Sequence, residues 1–268
     1  MLSLGFWLPL LGVGLVVGFI AGLFGMGGGA VIIPALLFVF GAQHFPPEAA
    51  MHQAVATSLA CILLASITSM FEHHQHGAVD WTVVRRLAPG IVAGGLLGTS
   101  LVSQLPTATL KLLFMVFLLY VSINMLRPKA APNAARELPG RAGMILAGGV
   151  VGFVSALVGI GGAAISVPFM VFCNVRIHRA IGTSAALGFP IAASGTVGYV
   201  LGGLHQPGLA PYSLGYVHLP SVAALSAMSM LVAPMGARAA HRLPVGTLRK
   251  VYALFLLAVT ARMAVSLL

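Results

Sequence analysis

One stretch, Gly18 to Pro34, constrains this chain more than any other, because it occurs twice. GFIAGLFGMGGGAVIIP returns 134 residues later as GFVSALVGIGGAAISVP, Gly152 to Pro168, with eight of 17 positions identical. Each copy breaks an apolar run with Gly-x-Gly-Gly, resumes a short apolar run and closes it with proline. In a membrane, non-helical backbone persists only where protein or a wet cavity satisfies its N–H and C=O groups. A glycine-broken hydrophobic segment at corresponding places in two halves therefore points to the central site of a transporter.

A membrane setting follows from composition: of 268 residues, 59% are hydrophobic and 7% charged, and the mean hydropathy is +1.03. Soluble domains carry about 25% charged residues. The apolar runs are continuous, unlike the alternating segments of a β-barrel, so the fold class is an all-α polytopic membrane protein. A net charge of +10 suggests nucleic acid, but no basic stretch carries interleaved aromatics, and the charges lie in short loops where they orient insertion. The first basic residue is Arg85, so the N-terminal segment lacks a signal peptide's basic start and is expected to stay in the membrane. Cys61 and Cys173 both fall in apolar segments, which gives a disulfide little support.

Two further blocks complete the duplication. His52-Gln-Ala-Val-Ala-Thr57-Ser58 matches His178-Arg-Ala-Ile-Gly-Thr183-Ser184, and Gly98 to Met125 matches Gly236 to Met263 with ten identities in 28. The sequence predicts an N-terminal repeat over 1–126, a cytoplasmic linker over 127–142 and a C-terminal repeat over 143–268. Each half offers five apolar segments, and 30–41 and 163–174 are too short to cross a core that takes about 20 helical residues. The first two segments of each half are read as a re-entrant-like hairpin with glycines at its tip, followed by three transmembrane helices.

If each hairpin returns to its own side, the halves are inverted relative to each other. Twelve of the 14 basic residues then lie inside, and only Lys111 and Arg262 outside. Parallel halves would give seven against seven. The positive-inside rule favours inversion, with both termini periplasmic.

The doubled Gly-x-Gly-Gly hairpin closed by proline, followed by a helix opening His-x-Ala-x-x-Thr-Ser, resembles the TauE/SafE family of sulfite exporters, of the TSUP superfamily. The resemblance covers nearly the whole chain. It implies a bacterial inner-membrane transporter for sulfur-containing anions such as sulfite, or organosulfonates such as sulfoacetate, in the direction of export.

The residues offer an anion site independently of that resemblance. Gly27, Gly28 and Gly29, with Gly161, Gly162 and Ala163, introduce the two short segments. A helix N-terminus presents unpaired N–H groups and partial positive charge, and glycine admits close approach. The competing reading is tight helix packing through small residues. Thr57, Ser58, Thr183 and Ser184 recur beside the hairpins and can donate to sulfonate oxygens, or bond back to their own helix. His52 and His178 open the third helix of each half, where they could gate an anion or simply cap. Arg176 and Arg179 could draw anions to the cytoplasmic mouth or only set topology. Arg262 either snorkels outward or faces the cavity as a functional cation.

His73, His74 and His76 stand near Glu72 and Asp80, but a loop of this composition is expected to be solvated, and no metal or cofactor is assigned. No Gly-x-Ser-x-Gly or His-Glu-x-x-His is present, which argues against an enzyme. The only acids, Glu48, Glu72, Asp80 and Glu137, all fall between apolar segments, so no intramembrane carboxylate is available to couple protons or sodium. An anion leaving a negative-inside cell gains about 2.3 kcal/mol per charge per 100 mV, so export driven by membrane potential is expected. An anion channel, or a carrier of another small organic anion, is the alternative. The apolar outer faces suit lipid or a second copy of the chain.

Overall fold

The computed structural model describes residues 4–24, 28–126, 137–240 and 245–265. Gly25, Gly27 and linker residues 127–136 lie outside the described residues. In chain order the elements are α1 (Leu4–Phe24), α2 (Gly29–Ala42), α3 (Pro47–Gln75), α4 (Trp81–Val102), α5 (Thr107–Leu126), α6 (Arg141–Val158), α7 (Ala163–Phe172) and α8 (Ile177–Gly203). A two-strand hairpin, β1 (Ser213–Leu214) and β2 (Val217–His218), precedes α9 (Leu219–Ala240) and α10 (Val245–Val265).

Local chemistry sets several boundaries. Pro47 opens α3 at the position where its missing N–H costs nothing. Asp80 caps α4, its Oδ1 accepting from Thr82 N at 3.0 Å and Val83 N at 3.2 Å. Arg85 and Arg86 therefore lie inside α4 rather than in a loop. Among the described residues α3, α5, α6 and α8 are long and apolar enough to cross a membrane. At 1.5 Å per residue, the 14 residues of α2 and ten of α7 fall short of a core about 30 Å thick.

The helices pair as α1 with α9, α4 with α6, α3 with α8 and α5 with α10. Matching α1–α5 to α6–α10 in order and exchanging the halves leaves this set unchanged, as a two-fold relation requires. Leu59 faces Gly195 and Ser66 faces Gly188, so α3 and α8 run antiparallel. Gly90, Gly94 and Gly98 of α4 lie against Ile145, Gly149 and Phe153 of α6, which makes that pair parallel. At Gly94 any side chain would strike the Gly149 carbonyl; small residues four apart let two backbones approach this closely.

Candidate functional site

The glycine-broken segments of the two halves meet at Gly29 and Gly159. Gly28 (φ 69°) precedes α2, and Gly162 (φ 73°) precedes α7, both in the left-handed region that glycine enters without strain. Each carbonyl accepts two first-turn N–H groups: Val31 and Ile32 on Gly28, Ile165 and Ser166 on Gly162. No side chain caps either helix. Gly29 rests on the opposite tip, where an added Cβ would stand 2.7 Å from Gly159 O and 3.0 Å from Ile160 Cα. The start of α2, with its partial positive charge, thus rests on the segment that links the end of α6 to the start of α7.

Serine hydroxyls surround this contact. Ser58 of α3 donates to Gly159 O at 3.1 Å, and Ser184 of α8 bonds Ser166 of α7 at 2.7 Å. Ser155 of α6 is buried with no partner for its Oγ, which lies 3.3 Å from where a Cβ on Gly162 would stand. Between Ala30, Ile160 and Ala164 the free space is about 10 Å³, room for about one water. The tips are closed on each other.

Of the residues singled out from the sequence, Gly28, Gly29, Ser58, Gly161, Gly162, Ala163 and Ser184 gather around this point. Thr57 and Thr183 are engaged elsewhere. Thr57 Oγ1 accepts from His218 N at 3.0 Å, and Thr183 Oγ1 accepts from Asp80 N at 2.9 Å. His218 and Asp80 are the residues just before α9 and α4, and the offset of the third repeat block, carried upstream, pairs them with each other. The two threonines therefore make one hydrogen bond twice, each tying the start of the fourth helix in one half to the third helix of the other.

His52 does not open its helix. Because α3 begins at Pro47, the ring lies more than a turn inside, buried, with Nε2 3.1 Å from Val102 O and stacked on Tyr216 at 5.1 Å. His178, Arg176 and Arg179 are all exposed at the start of α8. Arg262 is exposed too, its guanidinium 5.3 Å from the centre of the Phe38 ring. His76 Nδ1 lies 3.8 Å from Glu72, and His74 Nδ1 accepts from Trp81 Nε1. Among the described residues no group of three or more such side chains could hold a metal. Cys61 and Cys173 are buried, and neither is in a disulfide.

Ser155 and Ser166 are site residues that reading by recurrence passes over, because the first copy has Ala21 and Ile32 in their places. Their position just before and just after the second glycine cluster is the signal that marks them.

The family model described as sulfite exporter TauE/SafE matches residues 10–263. The chain belongs to that family. A probable membrane transporter protein of Haemophilus influenzae is 34% identical over 251 residues, 94% of this chain and 95% of the relative. A probable membrane transporter protein of Methanocaldococcus jannaschii is 30% identical over 186 residues, 68% of each chain. No solved structure matches. As a TauE/SafE protein the chain is a multi-pass membrane transporter with a small substrate, and not an enzyme.

Proposed function

We propose that this TauE/SafE protein is an inner-membrane exporter of a small sulfur-containing anion, sulfite or an organosulfonate such as sulfoacetate, driven by membrane potential. The observation that carries the reading is the contact of the uncapped α2 start at Gly28–Gly29 with Gly159–Ile160, in the link that leads to the uncapped α7 start, where the buried Ser155 hydroxyl near Gly162 has no partner. N–H and O–H donors converge there, and all four acids of the chain lie outside that group. Such a donor set suits an anion's oxygens, and no carboxylate stands among them to repel it. Ser58, Ser155, Ser166 and Ser184 would hold the anion together with the backbone of Gly28, Gly29, Gly161, Gly162 and Ala163. Thr57 and Thr183 would hold the frame, each with a hydroxyl hydrogen still free to donate.

Support for inverted halves comes from α3 and α8. Two helices exchanged by a two-fold relation and lying antiparallel require an axis across them, in the membrane plane. In that arrangement Arg176, His178 and Arg179 stand at the cytoplasmic mouth, where positive charge gathers anions, and both termini are periplasmic. The tips must part for an anion to enter, which favours a carrier over an open channel.

Uptake of labelled sulfite and sulfoacetate into proteoliposomes, with and without an imposed potential, tests the reading. Saturable, potential-sensitive flux with counterflow is expected, falling at least tenfold in Ser58→Ala/Ser155→Ala with fold retained. Flux unaffected by potential removes the driving force. Flux intact in the serine variant moves the site, and flux without saturation or counterflow makes the protein a channel.

A further inference from the structure

A second, lateral cavity lies away from the hairpin tips. Its volume is about 610 Å³, and α1, α2 and α10 form most of its wall. The lining is almost wholly apolar, including Val16, Ile20 and Val259, and it opens sideways past the exposed Phe38. Along α2 the wall runs from Val31 to Gly41, ten residues or about 15 Å. That is half of a hydrocarbon core about 30 Å thick, the depth of one leaflet.

Two cations line this cleft. Lys111 is in the second turn of α5 and Arg262 in the last turn of α10. Phe45 and Pro47 line it too, by the start of α3, where Thr107, a turn before Lys111, donates to Glu48 O, and the Arg262 guanidinium lies over Phe38. Glu48 begins α3 there, yet the one ion pair among the described residues is His76–Glu72, so neither cation is neutralised by it. In the inverted arrangement proposed above these are the only two basic residues outside. The exceptions to the charge bias converge on one cleft. The first half has Asn124 where the second has Arg262, so this cationic pair belongs to one half only.

We infer that the cleft is a binding site for an anionic phospholipid, its phosphate held by Lys111 and Arg262 and one acyl chain lying along α2. A small sulfonate would gain nothing from a long apolar wall. A hydrocarbon chain one leaflet deep fills it, and an unpaired lysine and arginine in its lining match a phosphate in charge and donor geometry.

Native mass spectrometry of the purified full chain with added phosphatidylglycerol or phosphatidylethanolamine tests this. One phosphatidylglycerol per chain is expected at roughly tenfold lower lipid concentration than phosphatidylethanolamine. The preference is expected to vanish in Lys111→Ala/Arg262→Ala and to survive in Lys111→Arg/Arg262→Lys, which separates charge from fold. Equal binding of the two lipids by the wild type, or a preference kept by the double alanine variant, overturns the proposal. So does displacement of phosphatidylglycerol by ethanesulfonate at equal concentration, which would make the cleft a small-anion site. A dimer that dissociates in the alanine variant, with lipid stoichiometry unchanged, would make it an interface between copies and equally overturn it.

Discussion

At one end of the α3–α8 pair, His52, Thr57 and His218 are sealed inside the protein, each 4% exposed or less. At the other end their repeat counterparts are His178, Thr183 and Asp80. Thr183 is equally buried, but His178 is exposed and Asp80 half-buried. The threonine hydrogen bond is the same at both ends, so it belongs to the frame. What differs is the connection: 76–80 joins α3 to α4, whereas 204–218 joins α8 to α9 and folds into the β1–β2 hairpin. That hairpin brings Tyr216 onto His52 and Ser213 Oγ to within 2.9 Å of Gln53 Nε2. His218 itself is packed among Phe6, Phe40 and Phe45 and bonds Ser221 rather than capping with a carboxylate. The longer connection covers one end, and the shorter one leaves the other exposed. In the inverted arrangement proposed above, the covered end is the periplasmic one and the exposed end the cytoplasmic one.

The widest contrast is expected in labelling. In a background of Cys61→Ser/Cys173→Ser, His178→Cys is expected to react with a membrane-impermeant maleimide from the cytoplasmic side, and His52→Cys to stay unlabelled. Labelling of both at similar rates would erase the difference between the ends. Stability comes next. His52→Ala removes a buried ring, its stacking and the partner of Val102 O, and is expected to cost about 2–4 kcal/mol. His178→Ala is expected to stay within about 0.5 kcal/mol, both read by denaturant unfolding in detergent.

A finer comparison uses the shared hydrogen bond. Thr57→Val strands a fully buried N–H on His218 and is expected to cost about 2 kcal/mol. Thr183→Val leaves Asp80 N where water can reach it, so about 1 kcal/mol is expected. Equal losses would show that burial of the bond does not separate the ends. The smallest effect is Asp80→Ala, about 1 kcal/mol or less from loss of the α4 cap, measured in the same unfolding assay.

Much of this architecture could be read from sequence. The ten apolar segments correspond to ten helices among the described residues, because continuous hydrophobic runs in a membrane have few alternatives to helix. The duplicated Gly-x-Gly-Gly marked the breaks after which α2 and α7 start, since glycine at a helix break is read from local chemistry alone. Asp80 is a helix start that any Asp before an apolar run announces. Recurrence was a poorer guide to what each hydroxyl does. Thr57 and Ser58 are neighbours in sequence and recur together, yet a helix turns about 100° per residue, so one bonds the α9 start and the other the opposite hairpin tip.

The sequence by itself determined a mostly helical membrane protein with two related halves and glycine breaks at matching places, because hydropathy and duplication are properties of the chain in order. Only the tertiary structure decided that the breaks touch each other, that Ser155 and Ser166 join them, and that Lys111 and Arg262 share a cleft. These residues lie far apart in sequence, and their meeting depends on which helix packs against which and in what direction. It also decided that His52 at one of two equivalent ends is covered while His178 at the other is exposed. That outcome rests on where a 15-residue connection folds back, and neither apolar periodicity nor the repeat carries a signal for it.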